Sequence, residues 1–147
     1  MSFHKVYIHF VWSTKCRYPF LDSKALRIKV WRHIKENAKE KGIFIDFVNG
    51  FEDHCHCLVS LRYDQSMQFV MQMIKGESAF WINKEGLCKE KFKWQREYYA
   101  ISVSGYETSV ERVRNYIRNQ EEHHRKKSSQ EEFDELILKY GFEKFVD

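Results

Sequence analysis

The run Asp53-His-Cys-His-Cys-Leu-Val-Ser60 sets two imidazoles one residue apart. In a strand, alternate side chains share a face, so His54 and His56 project side by side while Cys55 and Cys57 point the other way. Two neutral imidazoles on a rigid strand make half of a divalent metal site. A second stretch, Arg114-Asn-Tyr-Ile-Arg-Asn-Gln120, puts Tyr116 and Gln120 four residues apart, on one face of a helix. The amide oxygen of Gln120 is a hard ligand that suits Mg²⁺ or Mn²⁺, ions that leave positions for water and phosphate. Each stretch also admits a plain reading: a His-x-His pair arises by chance, Tyr116 could pack in the core, and Gln120 could be solvated. The cysteines Cys16, Cys55, Cys57 and Cys88 include no Cys-x-x-Cys pair. Alternation also keeps one ion from reaching all four side chains of the His-Cys-His-Cys run, which argues against structural zinc.

The elements that must position these groups follow from the apolar patterning. Residues 5–12 read as a strand rich in aromatic and β-branched side chains. After a turn around Tyr18-Pro19, Asp22 or Ser23 caps a helix through Leu26, Val30, Trp31, Ile34 and Ala38, stopped by Gly42. Residues 43–48 form a second strand, with Asn49-Gly50 as a turn signal and the turn extending towards Asp53. A third strand spans 54–61. A helix over 66–84 follows, with Phe69, Met73, Phe80 and Trp81 as candidate core residues, ended by Gly86. A basic loop leads to a fourth strand at 98–103. The order β-α-β-β-α-β is that of an α+β, ferredoxin-like sandwich, with two helices on one face of an antiparallel sheet and the other face free. An additional helix over 108–125, opened by the capping-box pair Thr108 and Glu111, carries Tyr116 and Gln120. A short terminal helix follows, with Ser129 and Glu132 at the same spacing, and Gly141 as its stop. Residues 1–127 thus read as one catalytic domain and 128–147 as a helical extension of it.

A chain of 147 residues with 43% hydrophobic and 31% charged residues suits one folded domain rather than a disordered chain. The net charge of +4 is modest, but Lys89, Lys91, Lys93, Arg96, Arg112, Arg114, Arg118 and Arg125 concentrate base in one stretch, while 131–135 is acidic. No run has the length of a signal peptide or a membrane helix. The expectation is a cytoplasmic protein with reduced cysteines and no membrane association.

Taken together, the motifs resemble a known family, the HUH (His-hydrophobic-His) transposases of the smallest insertion sequences and their relatives associated with repetitive extragenic palindromes. The resemblance runs from about Phe3 to Arg125. It includes His9-Phe-Val-Trp-Ser-Thr-Lys-Cys-Arg-Tyr-Pro19, Asp53-His-Cys-His56, Ile74-Lys-Gly-Glu-Ser78, Phe92-Lys-Trp-Gln95 with Ser102-Val-Ser104, and Tyr116-x-x-x-Gln120. It implies that His54, His56 and Gln120 bind Mg²⁺ or Mn²⁺ and that Tyr116 is the nucleophile. It further implies cleavage and rejoining of hairpin-bearing single-stranded DNA through a 5′-phosphotyrosine, with a free 3′-hydroxyl. The implied assembly is a homodimer with composite active sites, for which the loop around Gly105 would be the hinge. A free tyrosine, with a pKa of roughly 10, needs such a cation to attack near neutral pH. The chain departs from the pattern at Cys55, where a bulky aliphatic residue is usual; cysteine packs as a small hydrophobe and preserves the strand.

Lys15, Arg17, Lys91, Lys93 and Arg96 are candidate phosphate contacts, and Trp94 is a candidate stacking partner for an unpaired base. Glu52 and Asp53 stand where a carboxylate could orient an imidazole. His123 and His124 read as solvated residues at a helix C-terminus, where their charge is favourable; His4, His9 and His33 have no evident partner. Residues 128–147, beyond the resemblance, could cover a sheet edge, pack on a dimer partner or screen the DNA surface. Two other functions fit the same frame: a domesticated nuclease that trims palindromes, and a non-catalytic nucleic-acid-binding module of the RNA-recognition type. The aromatic pattern of the latter is not evident on the central strands.

Overall fold

Four antiparallel strands in the order β2-β3-β1-β4 organise the chain. The computed structural model describes residues 2–140. The elements run β1 (Val6–Ser13), α1 (Lys24–Glu40), β2 (Phe44–Phe51), β3 (His54–Leu61), α2 (Met67–Lys84), β4 (Tyr99–Val103), α3 (Glu107–Arg118), α4 (Gln120–Lys126) and α5 (Ser129–Tyr140). The first six are the ferredoxin-like β-α-β-β-α-β unit, so the fold is α+β as the patterning indicates. Among the described residues, no helix is long and apolar enough to cross a membrane.

Alternation along the two central strands divides the molecule. Phe10, Trp12, Cys55, Cys57 and Val59 face a core closed by Val30, Trp31 and Ile34 of α1 and Val70, Met71, Ile74 and Ile82 of α2. Ser23 Oγ accepts from Leu26 N and Ser66 Oγ from Phe69 N, which starts both helices. Gly42, at φ +74°, ends α1 in the left-handed region.

The buried stripe of α2 differs from expectation. Val70, Met71, Ile74, Ser78 and Ile82 turn inward, whereas Phe69 and Phe80 are 41% and 66% exposed. The helix is apolar on several sides, so periodicity alone did not fix its phase. Ser78 does so in part, because its hydroxyl accepts the indole N–H of buried Trp94 at 2.9 Å.

Two turn and cap expectations are also corrected. Asn49 and Gly50 lie inside β2, and the turn is Glu52-Asp53. A Cβ on Gly50 would meet the His54 carbonyl oxygen at 2.2 Å and Trp31 Cζ2 at 3.0 Å, so glycine there serves close packing rather than a turn. Thr108 does not cap α3; Tyr106 occupies the N-cap position without a side-chain bond.

The second face of the sheet is covered rather than free. Val110 and Ile117 of α3 pack with Leu58 of β3, and Tyr116 closes against them. Arg114 clamps the helix to β2 through a bidentate pair with Asp46, at 2.6 and 2.7 Å. At the far end, Asn49 Nδ2 donates to the carbonyls of Ile117 and Arg118. The expected single helix breaks there, at Asn119, and α4 starts at Gln120.

Candidate active site

His54 and His56 sit at the inner end of β3, in register with Ser13 and Val11 of β1 and with Phe51 and Asn49 of β2. Both are fully buried on the α3 side of the sheet. Cys55 and Cys57 occupy the opposite core, where burial pushes their thiols up. Asp53 Oδ1 lies 2.8 Å from His54 Nδ1, which aims Nε2 at the Gln120 amide oxygen 3.1 Å away. Asp53 therefore orients an imidazole, while Glu52 lends its carbonyl to Leu21 N. His56 is fixed similarly by an unanticipated partner: its Nδ1 is 3.0 Å from His9 Nε2.

Tyr116 and Gln120 reach the same point from α3 and α4. The tyrosine ring stands edge-on to His56, with centroids 5.4 Å apart, and Gln120 Nε2 approaches the Tyr116 carbonyl at 3.4 Å. The structure thus brings Tyr116, Gln120, His54 and His56 together within one chain.

Sequence reasoning missed Glu132. The capping pair at the start of α5 is Ser128 and Glu131, with Ser128 Oγ accepting from Glu131 N, so Glu132 is free to turn inward. It is 1% exposed. Its Oε1 lies 3.1 Å from His54 Nε2 and 2.9 Å from His56 Nε2. Its Oε2 accepts from the Tyr116 hydroxyl at 2.7 Å and from Gln120 Nε2 at 3.2 Å.

His123 and His124, expected to be solvated, belong to this cluster. His123 Nε2 is 3.0 Å from Glu132 Oε2. His124 stacks on Phe51 and brings Nε2 to 3.2 Å from Gln120 Oε1. Gln120, His123 and His124 stand at helical i, i+3, i+4 spacing, a signal in the sequence that a reading confined to the His-x-His pair overlooks. His33, also without an evident partner, stacks on Trp81 at 3.8 Å and bonds Glu77; His4 stacks on Tyr63.

The charges follow from these contacts. Burial alone would suppress charge on His54, but Asp53 and Glu132 outweigh it and push the pKa up to about 9. Burial and then neighbouring His56 press His9 down to about 3, and burial lowers His56 despite Glu132. Burial would raise Glu132, yet the surrounding histidines, His56 foremost, hold it far below the usual carboxylate range. Burial, then the Glu132 charge, raises the Tyr116 phenol well above its ordinary value, so it is protonated at neutral pH.

The donor set fits a divalent ion. Neighbouring donors around an octahedral ion at about 2.1 Å lie about 3 Å apart. Gln120 Oε1 to His54 Nε2 is 3.1 Å, and among the described residues His54, His124 and Glu132 can each offer a ligand atom within 4.8 Å of the others, a group that does not include His56.

Most of the basic candidates lie elsewhere, although Arg17 is near enough to Asp53 for its charge to help lower that carboxyl. Lys15 and Arg17 occupy a short 3-10 turn after β1, and Lys15 N donates to the Lys93 carbonyl. Lys91, Lys93, Trp94 and Arg96 line a groove of about 770 Å³ against α2. Trp94 cannot present its face to a base. It is 8% exposed and packed edge-on against Trp12 and Phe92, which corrects its expected role; Phe80 is the exposed aromatic of this groove. The Ile74-Lys-Gly-Glu-Ser78 stretch fastens the groove: Lys75 Nζ donates to the Arg96 and Glu97 carbonyls, Glu77 holds His33, and Ser78 holds Trp94.

The fold is similar to that of a candidate transposase from Deinococcus radiodurans R1, with a TM-score of 0.64 and 21% identity over 81% of this chain and 93% of that one. It is also similar to a REP-associated tyrosine transposase solved with a REP hairpin, with a TM-score of 0.61 and 17% identity over 84% of this chain and 72% of that one. No curated protein matches the sequence. The sequence pattern of the family described as "Transposase IS200 like" matches residues 2–120, and the chain belongs to that family.

Proposed function

We propose that the protein cleaves and rejoins single-stranded DNA, with Tyr116 as nucleophile and His54, His56 and Gln120 holding Mg²⁺ or Mn²⁺. The observation that carries this reading is the meeting of the Tyr116 hydroxyl, two strand imidazoles and the Gln120 amide at one buried point. Asp53 and His9 fix the two rings so that their Nε2 atoms face that point. A bound divalent ion supplies Lewis-acid polarisation of a phosphate oxygen and offsets charge in the transition state. Tyr116 Oη forms the new bond to phosphorus as the bond to the 3′-oxygen breaks, leaving a 5′-phosphotyrosine and a 3′-hydroxyl. The bond energy is retained in the ester, so rejoining needs no nucleotide cofactor.

The substrate we infer is single-stranded DNA carrying a hairpin, in keeping with the REP hairpin bound by a protein of the same fold. Lys91, Lys93 and Arg96 along the groove, with Lys15 and Arg17 beside it, are the phosphate contacts of this proposal. Tyr116 meets the histidines of its own chain; in a homodimer, the loop at Gly105 is where α3 would pass to a second copy. A cytoplasmic location is part of the same proposal.

The test uses labelled hairpin-bearing single strands from the gene's flanks, with Mg²⁺ or Mn²⁺, on a denaturing gel. A slow-migrating covalent species, absent with EDTA and in Tyr116→Phe, is expected. DNA binding without any such species would instead support a non-catalytic binding module.

A further inference from the structure

The family pattern ends at Gln120, yet the most deeply buried carboxylate of the site comes from beyond it, on α5. Its ion-pair partners among the described residues are all imidazoles: His54, His56, His123 and His124. Buried charges of this kind persist where they are paired or bind a metal. The two oxygens face different chemistry. Oε1 is turned to the Nε2 atoms of His54 and His56, and Oε2 to the Tyr116 hydroxyl.

We propose that Glu132 is a further ligand of the divalent ion, brought by α5 to join His54, His56 and Gln120, while its second oxygen holds the nucleophile. This rests on the metal-dependent reading above. Three distances support it: Oε1 lies 3.1 Å from His54 Nε2 and 2.9 Å from His56 Nε2, and Gln120 Oε1 lies 3.1 Å from His54 Nε2. Each matches the roughly 3 Å edge between adjacent donors of an octahedral ion. As ligands, two deprotonated imidazoles and an amide bring no charge and hold a hard cation weakly; a carboxylate supplies the missing charge. The first turn of α5 is also anchored to the site, since Ser129 Oγ donates to the same Asp53 oxygen that orients His54. A single side chain then sets the distance between metal and tyrosine before DNA arrives.

The experiment is a Mn²⁺ titration of the full-length, metal-free protein without DNA, followed by calorimetry. Glu132→Gln, which keeps the shape and removes the charge, is expected to weaken Kd by at least about tenfold, and Glu132→Asp by less. His54→Ala is the control and should abolish binding. Equal or tighter binding by Glu132→Gln, with His54→Ala still defective, would overturn the proposal and make the carboxylate a plug that fills the place of a phosphate. If the wild type binds no Mn²⁺, or His54→Ala binds normally, the metal-dependent reading itself fails and takes this inference with it. Should Glu132→Gln not fold, anomalous scattering from Mn²⁺ in wild-type crystals reads the same point. An ion bonded to Glu132 supports the proposal, and an ion on His54 and His56 with Glu132 turned away overturns it.

Discussion

The hydroxyl of Tyr116 donates to Glu132 Oε2 at 2.7 Å. This contact holds the Tyr116 ring beside the strand histidines, with its centroid 5.4 Å from that of His56; under the proposed function, the nucleophile is thereby oriented before a substrate binds. It also keeps the phenol protonated, because the neighbouring negative charge and burial both oppose ionisation.

Asp53 ties together His54 and Ser129, hence β3 and α5. Asp53→Asn leaves the shape but removes the charge that fixes the ring. Mn²⁺ affinity is expected to fall roughly 10- to 100-fold by calorimetry, with little change in the thermal melt. An unchanged affinity would mean that the ring is held by strand packing alone.

Gly50 is a close packing point between β2 and β3. In Gly50→Ala the new Cβ faces backbone, the His54 carbonyl at 2.2 Å, with Cys55 Cα and Trp31 Cζ2 each at 3.0 Å. Relief requires the strands to shift, and overpacking of this kind costs on the order of 1–3 kcal/mol. Urea unfolding should show a loss near the top of that range, together with weaker Mn²⁺ binding because His54 moves. A neutral substitution would contradict the packing.

What the sequence makes legible is the part governed by alternation. His54 and His56 on one face, Cys55 and Cys57 on the other, and the β-α-β-β-α-β order all follow from periods of two and about 3.6 residues, and the structure has them. Tyr116 and Gln120 do share a point, although a break at Asn119 intervenes. Other features depend on neighbours that no local rule supplies. Asn49-Gly50 carries the dipeptide of a hairpin turn, but Trp31 and the His54 carbonyl dictate a glycine there and α3 needs the Asn49 amide. Trp94 looks like a surface aromatic among bases until Ser78 claims its N–H. Glu132 stands three residues after Ser129, which reads as a capping box; one residue of offset gives that role to Glu131 and sends Glu132 to the histidines.

Lys75 gives a pH prediction away from the histidine cluster. Burial in the groove lowers its pKa from 10.5 to about 8, against the opposing effect of Glu97. A depressed lysine loses its proton early, so its neutral, reactive amine appears as pH rises through about 8, while ordinary lysines remain charged. Competitive acylation followed by peptide mass mapping should give Lys75 a midpoint near 8. Hairpin DNA lying in the groove should raise that midpoint, since phosphates favour the charged form. A midpoint like that of the other lysines would show that the amine is more hydrated than its bonds to the Arg96 and Glu97 carbonyls imply.

A nucleophilic Tyr116 must form a covalent bond to DNA. This is tested most directly by incubating the wild-type protein with hairpin-bearing single-stranded DNA and Mn²⁺, digesting both polymers, and locating the nucleotide mass by tandem mass spectrometry. The added phosphonucleotide is expected on the peptide containing Tyr116, and none with EDTA or in Tyr116→Phe. Attachment to another residue, or strand cleavage that persists in Tyr116→Phe, would contradict this.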